Sequence, residues 1–396
     1  MLSKIAFFLH LQQMKLVTII GARPQIIKAA ALSRAVRNFS HPVREVIVHT
    51  GQHYDPNMSD IFIQELGIPV PDYNLNVGSG SHGKQTAAML SGIEEILFTE
   101  KPDWLVVYGD TNSTLAAAIA GSKIHVPVAH IEAGLRSYNK QMPEEINRIL
   151  CDHVSTLLFS PTLAGFENLK KEGFKINDAP FSFDNPGIFH CGDLMYDNSL
   201  YFAEQAASHS DISEKLQLTT SKYILATIHR NNNTDDPQRL NALLETLSDL
   251  AVQNNLRVIL PLHPRTRKMM DQFLSISVQE KIKGNHFVII DPASFFEMIV
   301  LEQNAEMVIT DSGGVQKEAY YFKKPCIILR PETEWVELVE NGCAKVCDAD
   351  PIKIKSAFTE LIQNKLEYPP VFGDGNAAEF ILEKLWEHKS NSETRS

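Results

Sequence analysis

Short apolar runs alternate with longer segments of helical periodicity along the whole first half of the chain. The apolar runs predict strands at Leu16–Ile20, Glu45–Thr50, Trp104–Tyr108, Val126–Glu132 and Thr156–Phe159. The periodic segments predict helices at Pro24–Val36, Met58–Leu66, Gly83–Thr99, Thr114–Ile124, Pro143–Val154 and Thr162–Glu172. Nearly continuous apolar strands separated by helices are typical of a parallel sheet that is covered on both faces.

A second series of the same kind follows a loop rich in Pro, Asn and Asp at Asn177–Gly187. Its strands are predicted at Tyr223–His229, Arg257–His263, Phe287–Ile290, Met307–Thr310, Cys326–Arg330 and Lys345–Val346. A last helix is predicted at Asn376–Trp386, before a polar tail. The pattern therefore predicts an α/β protein with two sheets, in which ligands bind at the carboxyl ends of the strands.

Composition narrows the class of protein. The chain has 396 residues, enough for two domains, and its formal net charge of −11 argues against a nucleic-acid-binding surface. The five cysteines show no paired CxxC spacing, so we expect free thiols in a cytoplasmic protein and no metal site.

The N-terminus is apolar but does not have the pattern of a signal peptide. Residues 1–13 lack a small-residue cleavage site and precede a predicted core strand directly, so we interpret them as an extension. No run approaches the ~18 apolar residues that a membrane span requires.

A candidate anion site lies in the second half, where the strand Met307–Thr310 runs into Asp311-Ser312-Gly313-Gly314. Glycines at a strand-to-helix turn let the backbone approach a ligand, and the N–H groups of a helix start favour an anion. We expect the helix to begin at Val315, with Glu318 pointing back toward the turn, where a sugar hydroxyl could lie. The alternative is an ordinary Asp/Ser helix cap.

Histidine and arginine follow two other strands of this half. His229-Arg230 ends one strand, and His263-Pro-Arg265 ends another. Together with the glycine turn, they would surround an anion with donors.

Basic and polar residues end two strands of the first half. Gly21-Ala-Arg-Pro-Gln-Ile-Ile-Lys28 places Arg23 and Lys28 near enough to face one anion, although a solvated helix start would have the same composition. Thr50-Gly-Gln52-His53 suits polar recognition, or holds an ordinary loop histidine.

Carboxylates follow the remaining strands of the first half. Asp110 comes directly after Tyr108-Gly109, where poor solvation would raise its pKa, unless it simply caps the next helix. Glu132 and Arg136 lie at another strand end, and Glu144 and Arg148 are spaced as an i,i+4 pair. Asp110, Glu132 and Glu144 would thus converge on one sheet edge, as general acid–base chemistry requires.

These motifs together resemble the non-hydrolysing UDP-N-acetylglucosamine 2-epimerases, including the branch that acts on UDP-2,3-diacetamido-2,3-dideoxy-glucuronate. The resemblance runs from about Val17 to Glu383 and rests on GARPQIIK, TGQH, YGDTNST, HIEAGLRS, MPEEINR, LFSPT, the His-Arg at 229–230, PLHPR, TDSGGVQKEA and GDGNA.

The resemblance implies a GT-B-like fold, in which two Rossmann-like domains face each other across a cleft and a C-terminal helix crosses back to the first domain. The implied domains are 14–195 with 372–389, and 196–371, followed by a frayed tail at 390–396. The implied reaction is C2 epimerisation by elimination of UDP to a 2-acetamidoglucal and re-addition, for surface polysaccharide precursors, with no cofactor and no metal. The family also suggests a homodimer in the cytoplasm, with no nucleic-acid or membrane partner.

Residue roles follow from the same resemblance. The implied catalytic residues are Lys28, Asp110, Glu132, Glu144, Arg148 and His229. The implied UDP-binding residues are Arg23, His263, Ser312, Gly313, Gly314 and Glu318, and Gln52 and His53 mark a possible activator site.

The sequence also departs from the common family pattern. Ala22 and Gln25 stand where many members have Thr and Glu, and Asn231-Asn232 where many have Arg-Glu. Trp335 looks more like the diacetamido-uronate branch, so the C3 and C6 substituents of the sugar stay open. A hydrolysing relative, a glycosyltransferase of the same fold and a non-catalytic sugar-nucleotide sensor are the rival interpretations.

Overall fold

The computed structural model describes residues 13–51, 67–218 and 221–389, and all structural statements below concern these residues. The chain divides into two compact units, one made of residues 1–198 and 371–396 and the other of residues 199–370. Each unit contains one parallel sheet, which confirms the predicted α/β class. The predicted helix Met58–Leu66, the extension before residue 13 and the tail after residue 389 lie outside the described residues.

The first unit is built on seven described strands in the order β3-β2-β1-β4-β5-β6-β7, all parallel. The strands are β1 (Met14–Ile20), β2 (Val43–His49), β3 (Tyr73–Asn74), β4 (Trp104–Tyr108), β5 (Val128–Ile131), β6 (Leu157–Ser160) and β7 (Gly187–His190). The helices are α1 (Arg23–Asn38), α2 (His82–Glu100), α3 (Asn112–Lys123), α4 (Pro143–His153), α5 (Leu163–Lys171) and the start of α6 (Leu194–His209). Burial of every residue of β4 is the reason that its sequence is uniformly apolar.

The second unit has six described parallel strands in the order β10-β9-β8-β11-β12-β13. The strands are β8 (Tyr223–Thr227), β9 (Arg257–Pro261), β10 (Phe287–Ile290), β11 (Met307–Thr310), β12 (Cys326–Ile328) and β13 (Ala344–Val346). The helices are α7 (Ile212–Lys215), α8 (Asn231–Thr234), α9 (Pro237–Gln253), α10 (Pro264–Phe273), α11 (Ile276–Ile282), α12 (Phe295–Asn304), α13 (Gly313–Tyr321), α14 (Val336–Glu340) and α15 (Pro351–Gln363).

The last helix, α16 (Ala377–Glu387), belongs to the first unit. Its apolar residues Ile381, Leu382 and Leu385 are completely buried. The indole of Trp104 in β4 donates a hydrogen bond to the Leu385 carbonyl at 2.9 Å. The last helix therefore packs with the first unit, as the family resemblance implied.

No described helix combines the length and the apolar character that crossing a membrane would require. All five cysteines are free thiols.

Candidate active site

An ion pair stands at the carboxyl ends of β4 and β5. The ammonium of Lys28, on α1, contacts the Glu132 carboxylate, and both side chains are mostly buried. Glu132 has a positive φ of 74°, which is unusual for a residue with a side chain and is held by N–H donation to the Phe159 carbonyl at 3.0 Å. A strained backbone at a charged, mostly buried position is a common property of functional sites.

Gly109 makes room for this ion pair. Its φ of +62° suits glycine, and a Cβ placed there would come within 2.9 Å of Glu132 Oε2 and 3.4 Å of Lys28 Nζ. A side chain at position 109 would otherwise fill the space in which the pair meets.

Asp110 forms a second charged group beside the first. The Arg148 guanidinium, on α4, bonds the Asp110 carboxylate at 2.5 Å. Asp110 leaves 28% of its side chain exposed, yet the surrounding protein desolvates it enough to raise its pKa. Arg148 and Lys28 oppose that rise, whereas the charges of Glu132 and Glu144 add to it. A carboxyl group with a raised pKa, open to solvent on one side, can accept and return a proton.

Glu145 holds Arg148 in place. Its carboxylate bonds Arg148 at 2.8 Å and accepts the backbone N–H groups of Ser137 and Tyr138 at 3.0 and 2.9 Å. Burial acts to raise the pKa of Glu145, but these hydrogen bonds outweigh burial and lower it. Glu145 therefore remains an anion that orients Arg148 toward Asp110.

His130 fixes the backbone next to Asp110. Its Nε2 lies 2.8 Å from the Gly109 carbonyl, and its Nδ1 lies 2.8 Å from the Asp152 carboxylate. The side chains of His130 and Asp152 are completely buried. Arg136 bonds the other Asp152 oxygen at 2.7 Å and Glu172 at 2.7 Å. His130, Asp152 and Arg136 thus form a buried network that supports the turn and has no access to solvent.

The second unit has its own polar centre around Asp311, which is completely buried. Its carboxylate accepts the N–H groups of His229 and Arg230, the Asn233 amide, and Nδ1 of His229 at 3.0 Å. Burial acts to raise the pKa of Asp311, but the His229 side chain and the other donors outweigh burial and lower it. Because Nδ1 is held, Nε2 of the half-exposed His229 ring is the nitrogen that a ligand can meet.

The glycine turn opens directly into α13. Ser312 caps this helix and accepts the N–H of Val315 at 3.5 Å. A Cβ on Gly314 would meet nothing nearer than Ser312 Oγ at 3.9 Å, whereas a Cβ on Gly313 would lie 2.6 Å from Glu334. The Gly314 face is therefore open for a ligand, while Gly313 accommodates the Arg330–Glu334 ion pair, whose closest atoms are 2.9 Å apart.

This arrangement of motifs has close counterparts among known proteins. A family model described as UDP-N-acetylglucosamine 2-epimerase matches residues 36–386. The chain belongs to this family. Family membership confirms the resemblance inferred from the motifs, and it confirms that the chain is an enzyme of the isomerase class.

Relatives cover nearly the whole chain. A UDP-N-acetylglucosamine 2-epimerase homolog from Methanococcus maripaludis is 48% identical over 94% of this chain and 99% of its own. The UDP-2,3-diacetamido-2,3-dideoxy-D-glucuronate 2-epimerase from Pseudomonas aeruginosa is also 48% identical, with the same coverage. The crystal structure of Methanocaldococcus jannaschii UDP-GlcNAc 2-epimerase in complex with UDP-GlcNAc and UDP has a TM-score of 0.81 at 40% identity, covering 94% of this chain and 99% of that one. The predicted GT-B-like fold class is thereby confirmed.

The structure brings together most of the residues that the motifs predicted for the first unit. Lys28, Asp110, Glu132 and Arg148 form one charged cluster, and exposed Glu144 is close enough to act on the pKa of Asp110. Arg23, by contrast, is exposed at the first position of α1.

The proposed cap role of Asp110 is excluded. Helix α3 begins at Asn112, and the hydroxyl of Thr111 accepts the N–H of Thr114 at 3.3 Å. The Asp110 carboxylate is instead directed to Arg148. Glu145, which sequence reasoning missed as a partner of Arg148, is three residues from it rather than four.

In the second unit, one expectation needs correction, because helix α13 begins at Gly313 and not at Val315. His263 is exposed and caps α10, since its Nδ1 accepts the Arg265 N–H at 3.2 Å. The Arg265 guanidinium is bound to Asp235 at 2.6 Å. In the first unit, Gln52 and His53 lie outside the described residues.

Gln25 has a structural explanation. Its amide oxygen accepts the Ala22 N–H, and its amide nitrogen donates to the Tyr108 carbonyl at 3.1 Å and to Thr114 at 2.9 Å. A carboxylate could not make the donation to a carbonyl. Gln25, which stands where many family members have Glu, therefore fits the hydrogen bonds that its neighbours offer.

Proposed function

We propose that the chain catalyses reversible inversion at C2 of UDP-N-acetylglucosamine to give UDP-N-acetylmannosamine. The observation that supports this best is the pair of charged groups Lys28–Glu132 and Arg148–Asp110, which lie side by side at the carboxyl edge of one sheet. A simple nucleotide-sugar sensor or a glycosyltransferase has no use for such a cluster of acids. Family membership supports the same reaction.

The proposed reaction has two halves. In the first, a base takes the C2 proton, the electron pair forms the C1=C2 bond, and the C1–O bond breaks with its electrons on UDP. In the second, UDP oxygen adds back to C1 of the 2-acetamidoglucal while a proton is delivered to the opposite face of C2. Two acids are needed because the proton leaves one face and arrives at the other.

Asp110 and Glu132 are the groups we assign to these proton transfers. The raised pKa of Asp110 suits a carboxyl group that changes protonation during turnover, and Arg148 stabilises its charged form. Lys28 stabilises the charge on Glu132, and Glu144 adds negative charge that favours a cation-like transition state.

The departing diphosphate requires positive charge and N–H donors. The N–H groups at the start of α13, which Ser312 caps, supply such donors beside the open face of Gly314. His229 Nε2, aligned by Asp311, is positioned to donate as well, and Glu318 is assigned to the ribose hydroxyls. Arg23 and His263, whose side chains are exposed, keep their assignment to UDP binding.

A second substrate is favoured by specific observations. The diacetamido-uronate epimerase of Pseudomonas aeruginosa is 48% identical to this chain, and Trp335 resembles that branch. The indole is buried, with Lys317 Nζ 4.2 Å from its centroid. UDP-2,3-diacetamido-2,3-dideoxy-glucuronate is therefore the alternative substrate for the same reaction.

Wider assignments follow from the same proposal. They are a cytoplasmic homodimer that supplies precursors of a surface polysaccharide, and UDP-N-acetylglucosamine acting as an activator at Gln52 and His53. Sigmoidal substrate dependence that becomes hyperbolic in Gln52→Ala would support the activator role, and a hyperbolic wild type would remove it.

Product analysis tests the proposal. The purified protein is incubated with each UDP-sugar, and the products are separated by anion-exchange chromatography, with Asp110→Asn as the control for contaminating host epimerase. We expect the C2 epimer as a UDP-sugar, and the larger kcat/KM identifies the substrate. Free sugar with UDP as the main products would instead indicate the hydrolysing reaction.

A further inference from the structure

Glu302, near the end of α12, is a buried acid that the proposed reaction does not use. Only 1% of the residue is exposed. Neither carboxyl oxygen receives a hydrogen bond from any N–H or hydroxyl group of the described residues. A carboxylate buried without donors is costly, so this position strongly favours the neutral acid.

Among the described residues, the group that acts on Glu302 is Glu318, on the neighbouring helix α13. Burial raises the pKa of Glu302 well above its usual range, and the neighbouring Glu318 carboxyl group raises it further. Glu318 is only partly buried, so it is the member of the pair that solvent can stabilise as an anion.

No described residue supplies Glu302 with positive charge. The Tyr223 hydroxyl donates to the Leu301 carbonyl at 2.7 Å, and the charge of Glu302 contributes to the raised pKa values of Tyr223 and Cys326. These neighbours would themselves be neutral at physiological pH. Among the described residues, proton donation to Glu318 is therefore the arrangement that satisfies Glu302.

We propose that Glu302 is a positioning residue that stays protonated and, through its hydroxyl, holds the Glu318 carboxylate in the orientation that binds ribose. In this arrangement the Glu302 hydroxyl bonds one Glu318 oxygen from the buried side, and the ribose hydroxyls bind the carboxylate from the solvent side. This inference rests on the proposed assignment of Glu318 to ribose.

Two variants of Glu302 separate donation from simple packing. Glu302→Gln keeps an N–H donor in nearly the same shape, whereas Glu302→Leu keeps the volume and removes the donor. We expect Glu302→Gln to bind UDP within about twofold of wild type, and Glu302→Leu to bind UDP about tenfold more weakly, as loss of a hydrogen bond to a charged group predicts. Both should bind inorganic diphosphate normally, because diphosphate has no ribose.

A double-mutant cycle then tests whether Glu302 affects UDP affinity through Glu318. In a Glu318→Ala background, the change at position 302 should no longer alter the UDP affinity, because its acceptor is gone. A tenfold loss that persists without Glu318, or an equal loss of diphosphate binding by Glu302→Leu, would overturn the proposal. If Glu302→Leu does not fold, a tenfold weaker UDP affinity in Glu302→Gln overturns it equally.

Infrared spectroscopy gives a direct signature. In D₂O at neutral pH, wild type minus Glu302→Gln should show the carbonyl stretch of a protonated carboxylic acid, and its absence would contradict the proposal. The proposed function fails separately, if Glu318→Ala itself leaves UDP affinity unchanged. Normal UDP binding by Glu302→Leu together with weak binding by Glu318→Ala would reject only the role of Glu302.

Discussion

The Arg148 guanidinium bonds the Asp110 carboxylate at 2.5 Å and Glu145 at 2.8 Å. Arg148 thus connects a structural anion, Glu145, which is also bonded by the Ser137 and Tyr138 N–H groups, to a carboxyl group that is open on one side. The two acids have opposite pKa shifts, since burial raises the pKa of Asp110 while hydrogen bonds lower that of Glu145. A division of this kind separates the acid that moves protons from the acid that holds the geometry.

Replacement of Asp110 tests its role in proton transfer. Asp110→Asn keeps the shape of the side chain but cannot accept the proton, so we expect kcat to fall by about 10²–10⁴-fold. The Kd for UDP, measured by calorimetry, should change little. Thr111→Ala is the matched control, because Thr111 is the true cap of α3; it should lower stability by ~1 kcal/mol with near-normal turnover. Near-normal turnover in Asp110→Asn would remove Asp110 from the mechanism.

Gly109 offers a test of the Lys28–Glu132 ion pair without removing either charge. In Gly109→Ala the new Cβ would come within 2.9 Å of Glu132 Oε2, so we expect a loss of turnover of at least tenfold. Gly67→Ala is the control: its φ of +63° matches that of Gly109 at +62°, but a Cβ there meets nothing within 4 Å. It should lose stability and keep its kcat. If both variants lose only stability, the geometry of the ion pair is not critical for turnover.

Sequence reasoning located the edge of each sheet at which the polar groups lie, because strand ends can be recognised from apolar runs that stop at a polar residue. It could not identify the partner of Arg148, since the choice between Glu144 and Glu145 depends on how the start of α4 is oriented in the fold. Asp311 was expected only as part of the glycine turn or of an Asp/Ser helix cap, yet it is completely buried and accepts backbone N–H groups of residues 81 and 82 positions away. Such long-range contacts leave no local sequence signal.

Gly314 is the position at which ligand approach can be separated from folding. Because a Cβ there meets only Ser312 Oγ at 3.9 Å, Gly314→Val should fold normally. The new side chain would occupy the space of the diphosphate, and we expect UDP affinity to fall at least tenfold in calorimetric titration. Gly313→Val is the contrasting variant, because its Cβ would meet Glu334 at 2.6 Å and it should therefore also lose stability. UDP affinity unchanged in Gly314→Val would place the diphosphate elsewhere.

Asp197 should make the stability of the first unit depend on pH. It is buried, accepts the Ala378 N–H at 2.8 Å, and burial raises its pKa to about 7 from an ordinary 3.8. The folded state therefore holds a proton that the unfolded state has released between these pH values, so stability falls as pH rises from about 4 to 7.

The cost of ionising Asp197 is on the order of 4 kcal/mol above that window. Asp197→Asn keeps the acceptor for Ala378 and cannot ionise, so its Tm should exceed that of wild type at pH values above about 7 and approach it near pH 4. Parallel Tm profiles for the two proteins between these pH values would show that Asp197 does not titrate in this range.

Exchange of the C2 hydrogen with solvent tests the central claim most directly. The protein is incubated with UDP-N-acetylglucosamine, and separately with the diacetamido-uronate, in D₂O, and C2 is followed by proton NMR. Elimination and re-addition predict deuterium at C2 of an intact UDP-sugar, in both the substrate and its epimer. Retention of the original hydrogen at C2 with both sugars would contradict the account.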